Sequence, residues 1–208
     1  MGYVIKTPTC CFGIDIKHKN SNKLVSLLDF LLISHRHGDH FDEDMVKEME
    51  RSNKPVVSNF IENRYLVTEP VTLSFDEVEI KILINDHNVR YPNYVLSFEI
   101  DCGKSTDHIT VFHTGDSYMA SQLLTKNDVD ILIPHSRVGL NINDVVKNTR
   151  AKKVLMSHVM ELAHSRFYTP GGYRMTYAGG FEECDKIVNA DACLPVWGEK
   201  IVMEFNDF

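Results

Sequence analysis

The sequence predicts an α/β protein built in layers, and three features carry that expectation. Apolar runs of strand length alternate along the chain with stretches whose apolar residues recur at helical spacing. One run, Phe30 to Ile33, is apolar without alternation, as in a strand covered on both faces. Another, Val78 to Ile84, alternates apolar and polar almost throughout, as a half-exposed strand does.

Taken in order, the residues up to Ile16 read as one strand interrupted at Gly13, with Asp15 near its end. Lys17 to Asp29 is a polar connector with a short helical patch at Leu24, Val25, Leu27 and Leu28. The strand from Phe30 then stops in Ser34-His35-Arg36-His37-Gly38-Asp39-His40. Asp42 is placed to cap a helix whose acidic first turn suits the positive end of the helix dipole, with Met45, Val46 and Met49 on one face. Pro55 to Val57 is a short strand, and the strand from Val78 runs out in Asn85-Asp86-His87-Asn88. Tyr94 to Ile100 and His108 to Phe112 are strands joined as a hairpin through Asp101-Cys102-Gly103, and the second delivers Thr114-Gly115-Asp116. Ser117 to Leu124 reads as a helix, Val129 to Ile133 as a strand, Asn143 to Thr149 as a helix and Lys153 to Met156 as a strand. An amphipathic helix over Phe181 to Asn189 and a turn and strand over Pro195 to Glu204 complete the expected elements. No repeat, low-complexity tract or long linker divides the chain, so residues 1–208 read as one domain, able to bury about 70% of its unfolded surface.

Composition narrows the function. Five cysteines, odd in number and without C-x-x-C spacing, imply neither a disulfide framework nor a zinc knuckle, and a reducing cytoplasm is the simplest home. No apolar run approaches the roughly 18 residues that cross a bilayer, and the N-terminus lacks a signal-peptide pattern. A net charge of −7 is unfavourable for attraction to phosphate backbones. Neither nucleic acid nor membrane is therefore expected as a partner, and a homo-oligomer is left open.

The chemistry concentrates after Ile33, where three histidines and an aspartate fall within six positions. Neutral imidazole offers a nitrogen lone pair near neutral pH, and a carboxylate adds charge and a hard oxygen donor, so this density points to a metal. His-x-His-x-Asp-His after a buried strand resembles the signature of the metallo-β-lactamase-fold hydrolases. The family's other blocks follow in order: His87 lies 47 positions after His40, Asp116 lies 29 further on in His113-Thr114-Gly115-Asp116, and His158 lies 42 beyond that in Val154-Leu155-Met156-Ser157-His158. Asp15 sits where the family's first aspartate belongs. Members usually begin with a longer pair of strands, and only 14 residues precede Asp15, so part of that pair is expected to be missing.

The resemblance implies an αββα sandwich of two mixed sheets with helices on the outer faces. It also implies that His35, His37 and His87 hold one metal and Asp39, His40 and His158 a second, with Asp116 bridging. Two ions about 3.5–4 Å apart can share a hydroxide that attacks an electrophilic carbonyl or phosphoryl centre. Imidazole and carboxylate donors suit zinc first, with manganese and iron open, and a donor set without cysteine favours a catalytic site over a structural one.

Asp39, Glu161 and His164 are the candidate catalytic residues. If the stretch after His158 is helical, steps of three put Glu161 and His164 beside the ligand, Glu161 to orient it and His164 to touch substrate or shuttle a proton. His135 and Arg137 are expected to line the same mouth and hold substrate, Arg137 through a carboxylate or phosphate. His18, His108 and His113 are left to structure or surface because the ligand set is complete without them, and Trp197 to packing. The expected function is a dinuclear metal-dependent hydrolase acting on a small ester or lactone. Within the superfamily, the compact length and the stretch from Pro134 to His158 resemble the ascorbate-6-phosphate lactonase-like branch. A phosphodiesterase or ribonuclease of the superfamily and an iron oxidoreductase on the same ligand frame are the alternatives.

Overall fold

In the computed structural model, which describes residues 2–17, 21–88, 91–103, 108–136, 140–157, 159–160, 175–195 and 199–202, the apolar runs become the strands of two facing sheets. The smaller sheet has the order β1 (Tyr3–Lys6), β2 (Cys11–Ile14), β3 (Phe30–Leu32), β4 (Val56–Val57). β1 and β2 are antiparallel, and the remaining pairs are parallel. The larger sheet contains β5 (Val71–Phe75), β6 (Val78–Asn88), β7 (Tyr91–Cys102), β8 (Ile109–His113), β9 (Ile131–Ile133), β10 (Lys153–Leu155) and, after the short parallel pair β11 (Val159–Met160) and β12 (Met175–Thr176), β13 (Asp191–Cys193). Its order is β13-β10-β9-β8-β7-β6-β5, parallel from β13 to β8 and antiparallel from β8 to β5. The helices are α1 (Glu43–Arg51), α2 (Ile142–Thr149) and α3 (Tyr177–Cys184).

The side-chain period of two explains why β3 and β9 are apolar throughout. Phe30 and Leu32 point into the space between the sheets, where they meet Phe12, Ile14, Ile80, Leu96 and Phe98. Leu31 and Ile33 point the other way, onto Met45, Val46 and Met49 of α1. In the same manner Ile131 and Ile133 face the sandwich while Leu132 packs under Val145 and Val146 of α2. Helix, sheet, sheet and helix are thus stacked as the expected αββα sandwich. Phe30 sits at its centre, stacked between Phe12 at 4.7 Å and Phe75 at 4.3 Å. The Asp42 carboxylate accepts from the Met45 N–H at 3.0 Å, the expected cap of α1. Asn141 caps α2 in the same way.

Several expectations are corrected. The stretch up to Ile16 is a hairpin of two short strands rather than one, because Thr7 and Cys10 close a turn between them. Ser117 to Leu124 holds only a short 3-10 turn, Ala120–Gln122, whose Gln122 side chain is engaged with Asp86. The connector at Leu24 likewise forms a 3-10 turn, Ser21–Leu24. Strand β5 was not expected, and the last helix lies earlier than Phe181 to Asn189. The strand after it is Asp191–Cys193, and of the stretch from Pro195 to Glu204 expected as a turn and strand, the described residues Pro195 and Glu199 to Val202 are outside any strand, the others lying outside the described residues. Val159 and Met160 form a strand, so the condition of a helix directly after His158 is not met at these two residues. All five cysteines are free thiols, and burial pushes those of Cys10 and Cys102 up to about 12. Among the described residues no helix is long and apolar enough to cross a membrane.

Candidate metal centre

Three chain segments meet at one end of the sandwich, each arriving from the end of a strand. The first is the loop after β3. Its Ser34 carbonyl accepts from the Leu96 N–H of β7 at 2.9 Å, which ties the two sheets together at the site. The second is β6, where the pairing with β7 slips between Asp86 and Asn88. A bulge there re-aims the side chain at His87, and Gln122 pins it by accepting from the Asp86 N–H and donating to its carboxylate, at 2.9 and 2.8 Å. The third is the turn after β8. The Thr114 N–H donates to the Ile133 carbonyl at 3.1 Å, the Thr114 hydroxyl oxygen accepts from the His135 N–H at 2.9 Å, and the Ser97 hydroxyl donates to the Thr114 carbonyl at 2.6 Å.

Asp116, only 1% exposed, is the centre of the arrangement. Its Oδ2 lies 3.7 Å from His35 Nε2 and 3.7 Å from His87 Nε2. Its Oδ1 lies 3.2 Å from His40 Nε2 and 3.6 Å from His135 Nε2. Each carboxylate oxygen is therefore faced by its own pair of imidazoles. One donor atom each from His35, His37, His87 and Asp116 falls within 4.8 Å of the others, and the rings of His35, His37 and His87 are packed edge to face. Nε2 of His35 and both ring nitrogens of His87 are buried and make no hydrogen bond among the described residues. Buried polar atoms of this kind are costly unless something binds them. Tetrahedral donors on one zinc ion lie about 3.3 Å apart, from bonds of about 2.0–2.1 Å, so the observed spacings are close to what a metal needs.

Behind these imidazoles stands Asp15, 2% exposed and at φ +50°. Its Oδ1 accepts from the Ser34 N–H at 2.7 Å and its Oδ2 from the Ser34 hydroxyl at 2.6 Å. His40 Nδ1 lies 2.9 Å from Oδ2, and His35 Nδ1 lies 2.9 Å from the Ser34 hydroxyl. Both rings are thus held at Nδ1, which aims Nε2 at Asp116, the arrangement by which carboxylates orient metal-binding histidines. Burial pulls the His40 imidazole down, but Asp15 beside Nδ1 and Asp116 beside Nε2 outweigh it and hold it up at about 10. Burial raises the Asp15 carboxyl, yet His40, with His113 and His35 beyond it, holds it well below the usual carboxylate range. His35 goes the opposite way, pulled down to about 3 by burial and by His40. Burial and His87 lower His37.

These shifts set a pH profile for the protein stripped with chelator. The contribution of His40 is fully present below the ordinary imidazole value of 6.5 and is lost as pH rises through about 10. His35, neutral in the fold, makes stability fall as pH drops from 6.5 towards 3, and Asp15 adds a loss below its ordinary value of 3.8. The melting temperature should peak near pH 6.5 and fall on both sides. Asp15→Asn should lower the peak and end the alkaline decline at a lower pH; an alkaline limb identical to wild type would refute the pairing.

The remaining sequence-predicted residues divide as follows. His35, His37, His40, His87 and Asp116 come together. Asp39 lies at the rim, its side chain 47% exposed and its Oδ2 3.8 Å from His40 Nε2. His135, expected at the mouth of the site, is instead 5% exposed and packed on Asp116. His113 is buried, its Nδ1 accepting from the Gly115 N–H at 3.1 Å, and His108 is at the surface near Asp101. His18, Arg137, His158, Glu161, His164 and Trp197 lie outside the described residues. Sequence reading missed Ser34, Ser97 and Gln122, polar residues that no spacing rule marks.

A family profile described as "Beta-lactamase superfamily domain" matches residues 14–164. The chain belongs to this superfamily. It has the metallo-β-lactamase fold. Solved structures agree on the fold. Igni18, a metallo hydrolase from Ignicoccus hospitalis, is 14% identical with a TM-score of 0.71, over 98% of this chain and 94% of that one. The metallo-β-lactamase fold protein YhfI from Bacillus subtilis is 14% identical with a TM-score of 0.69, over 94% and 88%. A possible metal-dependent hydrolase from Veillonella parvula is 15% identical with a TM-score of 0.67, over 96% and 95%. No curated protein matches.

Proposed function

We propose that this metallo-β-lactamase-fold protein is a dinuclear metal-dependent hydrolase of small esters or lactones. The observation that carries the reading is the division of four buried imidazoles between the two oxygens of Asp116, His35 and His87 on one and His40 and His135 on the other. A carboxylate approached in this way can bridge two ions. His35, His37 and His87 would hold the first ion, and His40, Asp39 and His158 the second. Two divalent ions supply a Lewis acid and an activated water near neutral pH, with zinc the first choice for all-imidazole and carboxylate donors. The chain's own part is to hold the donors: Asp15 and Ser34 fix two rings from behind, and Gln122 and the bulge fix His87. Asp39, at the rim, is the described carboxylate best placed to meet substrate. The net charge of −7 favours a small molecule over a nucleic acid as substrate.

Elemental analysis of protein purified without chelator should find close to two transition-metal ions per chain, and a panel of small lactones and esters should be turned over in proportion to metal loading. One ion or none after reconstitution with zinc, manganese and iron in turn would sink the dinuclear reading. Submicromolar binding to tRNA precursors at physiological salt would replace the small-molecule substrate with RNA.

A further inference from the structure

We infer that His135 is a donor to the second ion, an inference that rests on the dinuclear reading above. The sequence-based ligand set does without it, and as a substrate contact it would have to face the mouth of the site. The structure puts it elsewhere. Its side chain is 5% exposed, and its Nε2 lies 3.6 Å from Asp116 Oδ1, the oxygen that His40 Nε2 approaches at 3.2 Å. The second pair matches the first in kind and spacing, since His35 and His87 stand 3.7 Å from Oδ2. His40 and His135 thus each bring a ring nitrogen to the same carboxylate oxygen, at separations near the roughly 3.3 Å expected between donors on one ion.

The backbone around His135 is built to hold that position. Its N–H donates to the Thr114 hydroxyl at 2.9 Å, and Thr114 lies two residues before Asp116, so the two side chains are referenced to one turn. On its other side His135 bridges to Ser157 in parallel register, and the Ser157 hydroxyl donates to the Pro134 carbonyl at 2.6 Å. His135 is thus clamped between the Asp116 turn and the strand end that leads to residue 158. Fixed geometry of this kind is what a metal donor requires. With His135 included, the second ion has His40, His135 and Asp116 as buried protein donors, and the half-exposed side of the site, at His37 and Asp39, is where a substrate can enter.

Loading the full chain with cadmium-113 and labelling its histidines with nitrogen-15 tests this directly, because a one-bond coupling between metal and nitrogen exists only where they are bonded. Two cadmium signals are expected, one of them coupled to the His135 Nε2, and that coupling should be absent in His135→Gln. The same variant should bind the second equivalent of cadmium at least about 100-fold more weakly, at or beyond the upper end of the 10- to 100-fold seen for residues behind the ligands. Two signals with no coupling to His135 overturn the inference and leave the dinuclear reading intact, even if His135→Gln weakens binding. A single cadmium signal overturns both. Should His135→Gln fail to fold, judged by circular dichroism of the chelator-treated protein, the wild-type coupling, assigned through the imidazole ring, decides alone.

Discussion

Asp116→Ala should strip the protein of both ions and reduce hydrolysis to background. Each oxygen of this carboxylate faces its own pair of imidazoles, so on the proposed dinuclear reading its removal would take one donor from each ion together with the negative charge between them. Two cations a few ångströms apart would repel strongly in a buried site, and on that reading the Asp116 carboxylate is the negative charge they share. The loss of activity should exceed the 10- to 100-fold typical of residues that only orient a ligand. Metal content by elemental analysis reads the result without knowledge of the substrate. Asp116→Asn provides the finer comparison: it keeps the shape and one oxygen but loses the charge, so it should retain one ion at most. Two ions in Asp116→Ala would show that the carboxylate does not bridge.

Gly115→Ala should be nearly as damaging, by a different route. Gly115 turns the chain from β8 into Asp116 at φ +56°, which costs an L side chain about 1–2 kcal/mol. An added Cβ would also lie 2.6 Å from Val95 Cγ2, closer still to the Leu96 carbonyl oxygen, and 3.2 Å from the Ser34 Cβ. Two of those neighbours are backbone or rigid side chain in the strand that joins the sheets, so they cannot simply move aside; overpacking adds about 1–3 kcal/mol. A total loss of about 2–5 kcal/mol is expected in urea denaturation of the chelator-treated protein, with metal binding weakened because the turn carries Asp116. Gly38→Ala is the control. It lies between His37 and Asp39, where an added Cβ meets nothing within 4 Å, and its stability should change by less than about 0.5 kcal/mol. Equal stability of the two variants would mean that close approach at Gly115 is not what shapes the turn.

Part of this protein was legible in its residues. The unbroken apolar run at Phe30 requires cover on both faces, and it has it from the facing sheet and from α1. The cap at Asp42 and the apolar face of Met45, Val46 and Met49 follow from helical spacing and local hydrogen bonding, which depend on near neighbours in the chain. The histidine loop was legible for the same reason: its donors are crowded within a few positions, and a strand end must project them together.

What failed was of two kinds. Ser117 to Leu124 has helical spacing but forms only a short 3-10 turn, since Gln122 is drawn to Asp86 across 36 positions, a contact no local pattern encodes. Strand β5 was overlooked because its alternation, Val71-Thr72-Leu73-Ser74-Phe75, is short and polar on one face, a signal that gains weight only when β6 is seen beside it.

The residues by themselves determined the layered fold and the chemical type of the site, because side-chain period and the density of imidazole and carboxylate groups are properties of neighbouring positions. Only the tertiary structure decided which nitrogen faces which oxygen. That Asp15 and Ser34 stand behind His35 and His40, that a bulge turns His87 inward, and that His135 lies on Asp116 rather than at the mouth all depend on strand ends brought together from distant parts of the chain. Spacing along the sequence carries no information about those distances, which are set by the stagger of strands within two sheets and by the hydrogen bond from Leu96 to Ser34 that fixes one sheet against the other.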